Sequence, residues 1–308
     1  MEITFYGTRG TCPIARRDQV RYGGNTTCLH FRTRSGQDLI LDGGSGIRVL
    51  GKEMMQREFG AGLGEAHILV GHTHWDHILG FPSFRPFFIP GNRFVVVSAG
   101  QTGVHIRDIL SGQQVALNWP VRFEELSARL EYLPFKVGDE LTLGRFRVET
   151  VQLNHPGVTV GYRIEADDSA VAVYTDTARV REVRLGDGMG GPEPDEGFSR
   201  EHLERLAHCA RQADVLVHDT HFLEHEMVGW YDWGHSTVED ALEIARMAGV
   251  KQLVLFHHHQ AHSDAVVDEK LALARDLSRG EPFEVEAAAE GWRLEVGRDP
   301  KGVQGAGS

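Results

Sequence analysis

The sequence predicts a layered α/β fold built on mixed β-sheets. Apolar runs of strand length come before His72, His155 and Asp176. Further strands are predicted at 214–218 and 253–256, and helical patterns alternate with the strands at 47–59, 200–212, 237–248 and 264–279. This alternation favours sheets covered by helices over an all-helical or all-β protein.

The N-terminal third adds strands and tight turns. Its strands are predicted at Glu2–Tyr6, Thr26–Thr33 and Asp38–Leu41. Asp42-Gly43-Gly44-Ser45-Gly46 then leads into the helix that begins at Ile47. We expect the glycine-rich turns at Gly7–Gly10 and Tyr22–Thr26 to form part of the rim of a site.

One domain is predicted for residues 1–296, with a flexible tail at 297–308. The chain of 308 residues is 41% hydrophobic, which supports a large core, and the candidate site residues are scattered from 72 to 257 and must converge. Leu185–Ser199 is rich in glycine, proline and acid, so it is expected to be a surface insertion or a lid.

A cytoplasmic protein without a membrane segment is expected. No apolar run approaches the roughly 18–20 residues that span a bilayer, and Met1 leads directly into a strand. The cysteines, Cys12, Cys28 and Cys209, are widely spaced and form no Cys-x-x-Cys pair, which indicates reduced thiols.

A cluster of metal-binding residue types follows the strand that ends near Gly71. His72-Thr73-His74-Trp75-Asp76-His77 holds four candidate ligands within six residues. Side chains alternate along an extended chain, so His72 and His74 point the same way, while Asp76 and His77 are offset far enough to serve a second ion. Imidazole and carboxylate groups suit zinc, manganese and iron, so we predict metal-assisted hydrolysis.

This His-x-His-x-Asp-His pattern resembles the signature of the metallo-β-lactamase superfamily of hydrolases. His74 stands where the oxygen-reducing di-iron branch has a glutamate, so the resemblance is to the hydrolase branches. It implies a four-layer αββα sandwich with a dinuclear metal site at the sheet edge. A homodimer is a further expectation of the family.

The resemblance also implies the remaining ligands. His155, in Asn154-His155-Pro156, matches the third histidine of the first metal, and Asp176 matches the aspartate that bridges both metals. His257 follows the strand Leu253–Phe256 and matches the last ligand, although His258 and His259 compete for that role. The expected sets are His72, His74 and His155 for one ion and Asp76, His77 and His257 for the other, with Asp176 between them. Zinc is expected first, with manganese or iron as alternatives.

Two residues are expected to support the ligands from behind. Family resemblance makes Asp42 a carboxylate that orients a metal-bound imidazole, with a helix cap as the equal alternative. His218 is placed in the same supporting role.

Two adjacent motifs resemble the phosphodiesterase branch, which includes the tRNA 3′-processing endonucleases and the small cyclic phosphodiesterases. Trp233-Gly234-His235-Ser236-Thr237 resembles its Gly-His-Ser-Thr segment. The 213–222 stretch resembles the strand and His-Glu-Ala-Thr-Phe segment, with Asp219 in place of the glutamate.

These motifs imply roles in catalysis. His235 is expected to protonate the leaving oxygen, and Asp76 to orient the attacking water as well as to bind metal. Ser236 and Thr237 are candidate substrate contacts at a helix N-terminus, where Ser236-Thr237-Val238-Glu239 also predicts a capping box.

Charge favours a small substrate. The net charge is −12, from 32 basic and 44 acidic side chains, and no basic face is evident beyond the local cluster Arg16, Arg17 and Arg21. The tRNA-processing enzymes carry a long arm between the third histidine and the bridging aspartate. Only 20 residues lie between His155 and Asp176, so a nucleic-acid substrate is not expected.

An aromatic segment follows the main motif. Phe81–Pro90 contains four phenylalanines and three prolines. These rings are candidates for stacking on a nucleobase, and Arg85 for binding a phosphate. The alternatives are that the segment buries a loop or forms a dimer contact.

The first functional hypothesis is a dinuclear metal phosphodiesterase acting on a small phosphodiester such as a cyclic nucleotide or cyclic ribose phosphate. Three alternatives stay open. They are a tRNA 3′-processing endonuclease, a lactone or thioester hydrolase on the same metals, and a non-catalytic nucleotide-binding sensor.

Overall fold

Two seven-stranded sheets form the centre of the molecule. The computed structural model describes residues 1–100, 103–179, 196–227, 230 and 233–297. The first sheet contains β1 (Glu2–Gly7), β2 (Cys28–Arg32), β3 (Asp38–Leu41), β4 (Glu65–Val70), β5 (Arg93–Ala99), β6 (Arg129–Phe135) and β14 (Arg293–Glu295). The second contains β7 (Glu140–Leu143), β8 (Phe146–Gln152), β9 (Val160–Ala166), β10 (Ser169–Tyr174), β11 (Val215–Asp219), β12 (Gln252–Phe256) and β13 (Glu284–Ala287).

The two sheets have the same plan, because each joins an antiparallel part to a parallel part. The first runs in the order β14-β1-β2-β3-β4-β5-β6, and strands β3 to β6 are parallel. The second runs β13-β12-β11-β10-β9-β8-β7, and strands β10 to β13 are parallel. Strands buried on both faces read as continuous apolar runs, as in Val171-Ala172-Val173 of β10.

Helices cover the outer face of each sheet. The helices are α1 (Ile47–Met54), α2 (Trp75–Ile78), α3 (Ile106–Gly112), α4 (Glu196–Cys209), α5 (Val238–Ala248) and α6 (Asp264–Leu277). Helices α1 and α3 pack on the first sheet. Helices α4, α5 and α6 pack on the second.

Three apolar cores separate the four layers. The central core lies between the sheets and joins residues such as Phe5 and Leu69 to Tyr162 and Val217. The two outer cores lie between each sheet and its helices. The predicted four-layer α/β fold is therefore confirmed.

The element bounds differ from prediction at a few ends. The helix expected over 47–59 ends at Met54 and is followed by a separate 3-10 turn at Glu58–Ala61. Helix α4 begins at Glu196, inside the segment expected to be an insertion or lid, and 185–195 lies outside the described residues. Of the expected tail, only Gly297 is described. In the described part of the chain, no helix is long and apolar enough to cross a bilayer.

Candidate metal centre and active site

One edge of the two sheets collects the predicted site residues. Strands β3, β4, β10, β11 and β12 all end at this edge, and β8 runs in the same direction as β10 because both are antiparallel to β9. The residues that follow these strand ends are Asp42, His72 to His77, His155, Asp176, Asp219 and His257. The convergence is thus a consequence of strand direction.

The first group of candidate ligands is His72, His74 and His155, whose ring nitrogens lie within 4.8 Å of one another. His74 Nδ1 and His155 Nε2 are 3.1 Å apart. His72 and His155 are buried, whereas His74 is exposed, so the mouth of the site opens on the His74 side.

The second group is Asp76, His77, Asp176 and His257, all buried. His77 Nε2 lies 3.0 Å from one oxygen of Asp176, and His257 Nε2 lies 3.2 Å from the other. His257 Nε2 is also 3.2 Å from Asp76 Oδ2. Asp176 therefore contacts members of this group through both of its oxygens, and one of its donor atoms also lies within 4.8 Å of a ring nitrogen of His155 in the first group. A bridging carboxylate is expected at such a position between the two groups.

The donor set fits divalent metal ions. Two donors about 2.0–2.1 Å from one tetrahedral ion lie roughly 3.3–3.4 Å apart, and the measured separations of 3.0–3.5 Å bracket that value. Among the described residues, both ring nitrogens of His72 are buried without a hydrogen-bond partner. Buried polar atoms normally have partners, so these atoms indicate ligands for a group that binds here.

The charges of the second group also favour a cation. Burial opposes protonation of His77, but the carboxylates of Asp176 and Asp76 outweigh it and raise the pKa of this imidazole well above its usual value. The carboxylates thus hold a positive charge between them. A divalent metal supplies such a charge without a proton.

Asp42 lies behind His77. Its Oδ2 is 2.7 Å from His77 Nδ1, and its Oδ1 accepts from the Gly71 backbone N–H at 2.8 Å. These contacts orient the imidazole so that Nε2 faces Asp176, as expected for a carboxylate that supports a ligand. Asp42 is not the cap of α1, because the residue at that position is Gly46.

Two residues of the centre have left-handed backbones. Asp42 has φ of 64° and His257 has φ of 56°, a region that non-glycine residues seldom adopt. Such strain concentrates at functional sites, where the surrounding structure holds it. At His257 the turn directs the ring toward Asp76 and Asp176, whereas His258 turns away to Ala288 O. The geometry therefore favours His257 over His258 as the ligand.

Backbone groups complete the walls. Thr11 N–H donates to Asp76 Oδ2 at 2.8 Å, and the Gly234 carbonyl lies 2.9 Å from His155 Nδ1. A Cβ atom on Gly10 would lie 2.3 Å from the His257 ring, so only glycine allows this close approach. The predicted rim turn at Gly7–Gly10 does border the site.

His235 lies beside both groups and is held by Asp219. Its Nδ1 is 2.9 Å from Asp219 Oδ2 and 3.9 Å from Asp176 Oδ1. Its ring centroid is 5.2 Å from that of His155 and 5.1 Å from that of His257. Asp219 therefore fixes one nitrogen of His235 and leaves the other available for chemistry.

His221 is a site residue that the sequence pattern did not single out. Its ring stacks on His235 at 4.2 Å, and its Nδ1 lies 2.9 Å from the His257 carbonyl. Burial lowers the pKa of His221 well below its usual value, so the ring is neutral and Nδ1 donates to the carbonyl. The sequence signal that could have identified His221 is its position two residues after Asp219, at the end of a strand.

Asp219, His221, His235 and His257 also come within 4.8 Å, but they do not resemble a third metal site. The Asp219 oxygens already accept from the backbone N–H groups of His221 and Thr177, and one also meets His235 Nδ1. An ion would have to displace these bonds. The group is better described as a support for His235.

Other predicted residues lie away from the ligands. His218 points to the helical side of its sheet, against Tyr174, and its Nδ1 is bonded to the Asp219 carbonyl. Successive residues of a strand face opposite sides of the sheet, so His218 faces away from the site when Asp219 faces it. The expectation that His218 supports the ligands is therefore wrong.

The residues at the start of α5 that were predicted to contact the substrate form hydrogen bonds within the protein instead. Ser236 Oγ donates to the Thr177 carbonyl, and Thr237 Oγ1 bonds Asp240. The capping box consists of Thr237 and Asp240, one residue later than the Ser236 and Glu239 predicted. Thr237 is the N-cap because its backbone is extended and its hydroxyl accepts from the Asp240 N–H.

The aromatic segment is part of the core. Phe81, Phe84 and Phe87 are buried against one another and Phe94, so their faces are not open to a base. Of the alternatives, burial of a loop is what the structure shows. Arg85 is exposed on this segment, and its contact with a phosphate stays a prediction.

Known proteins with similar sequences point to the same superfamily as the site residues. The sequence model of the Beta-lactamase superfamily domain matches residues 61–258. The chain belongs to this superfamily. The match includes every predicted ligand, from His72 to His257, although it does not by itself assign their roles.

Individual relatives extend over nearly the whole chain. This protein is 27% identical to Ribonuclease Z of Haloarcula marismortui, and the match covers 91% of this chain and 93% of that protein. The human tRNase Z short form has a similar fold, with a TM-score of 0.63, 18% identity and coverage of 96% and 98% of the two chains. A diphosphatase from the PhnP family has a TM-score of 0.58, 18% identity and coverage of 96% and 97%.

These findings confirm the superfamily, the fold and a metal-dependent hydrolase of the phosphodiesterase branch. The relatives named Ribonuclease Z favour the alternative hypothesis, a tRNA-processing endonuclease, over the small phosphodiester put first from the sequence. A nucleic-acid substrate, which was not expected from the sequence, is therefore possible.

Proposed function

We propose that the protein cleaves phosphodiester bonds in RNA at a dinuclear metal centre, with a tRNA precursor as the first candidate substrate. The observation that carries the chemistry is the Asp219–His235 pair, which lies directly beside Asp176. The choice of RNA is supported by the relatives named Ribonuclease Z, whose similarity covers 91% of the chain in one case and 96% in another.

The residues that would hold the metals are those of the two groups. His72, His74 and His155 would bind one ion, Asp76, His77 and His257 the other, and Asp176 would bridge them. When bound, the ions supply Lewis acidity, which lowers the pKa of a water molecule and neutralises charge on the phosphate oxygens.

The protein's own groups orient the reaction. Thr11 N–H holds Asp76 Oδ2 and so fixes the orientation of this carboxylate, which would bind metal and orient the attacking water. When both nitrogens of His235 are protonated, Nδ1 donates to Asp219 and Nε2 presents a proton to the leaving oxygen. Asp219 also fixes the orientation of the ring, so the donated proton is held at one defined position.

A small phosphodiester is the second candidate substrate. It is favoured by the net charge of −12 and by the 20 residues between His155 and Asp176, which leave no room for a long RNA-binding arm. A cyclic nucleotide or cyclic ribose phosphate would need no such arm.

The test is a parallel assay of one metal-loaded preparation. Its substrates are a tRNA precursor with a 3′ trailer, cyclic nucleotides, bis-p-nitrophenyl phosphate and a lactone. Cleavage of the precursor at a single 3′ position supports the first candidate, and turnover of cyclic nucleotides alone supports the second. The Asp176→Ala protein, prepared identically, is the control for contaminating nucleases.

Two outcomes would overturn the proposal. Turnover of the lactone with every diester inert would indicate a carboxyl-ester hydrolase. Nucleotide binding without turnover of any substrate would indicate a sensor.

A further inference from the structure

Three large aromatic side chains are exposed next to the candidate metal centre. Trp75 is 67% exposed, Trp230 43% and Trp233 41%. Large aromatic side chains are usually mostly buried, and exposed apolar groups that gather near a site often mark a ligand-binding surface. The exposure of these tryptophans therefore indicates a ligand-binding surface.

A chain of short contacts places Trp75 and Trp233 on the same side of the centre. Trp75 directly follows His74, whose Nδ1 is 3.1 Å from His155 Nε2. The other nitrogen of His155 is 2.9 Å from the carbonyl of Gly234, which directly follows Trp233. Both tryptophans are thus one residue from the His74–His155–Gly234 contacts, at the exposed mouth of the site.

Each tryptophan adjoins a structured part of the site. Trp75 is the first residue of α2, between His74 and Asp76. Trp233 packs edge-on against Trp230, with 4.5 Å between ring centroids. It is held at its other end by Gly234, which has φ of 81° and lies close against His155. Both residues are therefore adjacent in the chain to residues that form the centre, and their indoles are exposed there.

The chemistry of the exposed indoles favours binding of a neutral aromatic group over binding of an anion. Indole offers a flat apolar face and one N–H, and it carries no charge to pair with phosphate. Every nucleobase has a π-face that stacks on such a ring, and stacking tolerates differences between bases. The metals would take the phosphate, while the indoles would take the base attached to it.

We propose that Trp75 and Trp233 form a stacking subsite for a nucleobase next to the scissile phosphodiester. This inference rests on the proposed phosphodiesterase function. The subsite selects nucleosidic diesters over simple alkyl ones, whether the nucleotide is free or lies at the end of an RNA.

The experiment compares two chromogenic diesters that share a leaving group. Thymidine 5′-(p-nitrophenyl phosphate) carries a base, and methyl p-nitrophenyl phosphate does not. We expect Trp75→Ala and Trp233→Ala each to lower the ratio of kcat/KM between these substrates by roughly tenfold, mainly through KM of the thymidine ester. Trp75→Phe, which keeps an aromatic face, should restore most of the ratio.

Leu63→Ala is the matched control. Leu63 is 76% exposed and precedes β4, whereas the ligands follow the other end of that strand, roughly 20 Å away by strand length. This substitution should leave the ratio unchanged. Metal content is measured for every variant, so that loss of an ion is separated from loss of stacking.

Failure of this inference can be told apart from failure of the proposed function. An unchanged ratio in both alanine variants with full metal content overturns the stacking subsite while the phosphodiesterase stands. If the unmodified protein cleaves neither diester, tryptophan fluorescence is titrated with AMP and with ribose 5-phosphate. Quenching by AMP alone then supports the subsite, and no quenching by either overturns it.

Discussion

The two sheets contribute to the metal centre in different ways. The first sheet supplies four candidate ligands from one continuous segment, His72 to His77, after β4. The second supplies His155, Asp176 and His257 one at a time, each after a different strand. A motif encoded locally can be recognised in the sequence, whereas scattered ligands depend on the order and direction of strands.

The two halves also hold their histidines differently. On the first sheet, the Asp42 carboxylate holds Nδ1 of His77. On the second, backbone carbonyls hold His155 and His221, whereas the Asp219 carboxylate holds His235, which is not a proposed ligand. Support for the candidate ligand His77 therefore comes from a side chain, and support for the candidate ligand His155 from a backbone carbonyl. This difference can be tested by substitution.

The largest effect is expected where the two halves meet. Asp176→Ala should reduce turnover by about 10³-fold or more, because it removes the proposed ligand shared by both ions and the carboxylate that contacts both His77 and His257. Metal analysis should show fewer than two ions per chain. His72→Ala, on the first sheet alone, should keep the second ion. Two ions retained in Asp176→Ala would refute the bridging role.

The next effect concerns the second half alone. His235→Ala should lower kcat by roughly 10²–10⁴-fold at unchanged metal content, since it removes a proton donor and no proposed ligand. Steady-state kinetics and metal analysis on the same sample provide the check. Loss of metal in this variant would show that His235 is a ligand or a structural residue.

Substitutions of the residues that support the histidines from behind should have smaller effects on metal binding and turnover. Asp42→Asn is expected to weaken metal binding by about 10–100-fold, because an amide cannot supply the charge that orients and polarises His77. His221→Asn keeps a donor for the His257 carbonyl but loses the ring on His235, whereas His221→Phe does the reverse.

Metal titration and kinetics on these two variants separate the functions of His221. We expect metal affinity to fall mainly in the phenylalanine variant and kcat mainly in the asparagine variant. Equal losses of both quantities in both variants would show that His221 only fills space.

The smallest effect is on stability. Lys270 of α6 is buried, and it donates to the carbonyls of Thr220 and His221 beneath the loop that supports His235. Burial lowers its pKa from 10.5 to about 7. Between these values the unfolded chain binds a proton that the folded chain does not, so the free energy of unfolding contributed by this group rises with pH.

Lys270→Met removes that contribution. Relative to this variant, the unmodified protein should gain stability from pH 7 to pH 9, with a slope approaching about 1.4 kcal/mol per pH unit. Urea unfolding at both pH values measures it. Parallel pH profiles for the two proteins would mean that Lys270 keeps its proton in the folded state.

Local patterns predicted much of the fold and the site. The strand Asp38–Leu41 and the end of α5 at Ala248 lie where the sequence pattern predicts them. The ligand-type residues after the strands were predicted by resemblance, and the structure brings all seven together. The errors concern side-chain direction. His218 was chosen where Asp219 and His221 face the site, and Phe81–Phe87 was considered for substrate binding although it is packed in the core.

The sequence alone thus determined the elements of this protein, the His72–His77 cluster and the residue types at each strand end. Only the tertiary structure decided which of several neighbouring histidines faces the ligands and which aromatic rings stay exposed. The physical reason is the two-residue period of a strand, by which a shift of one residue moves a side chain to the opposite face. Sheet packing then decides which face is a core and which is a site.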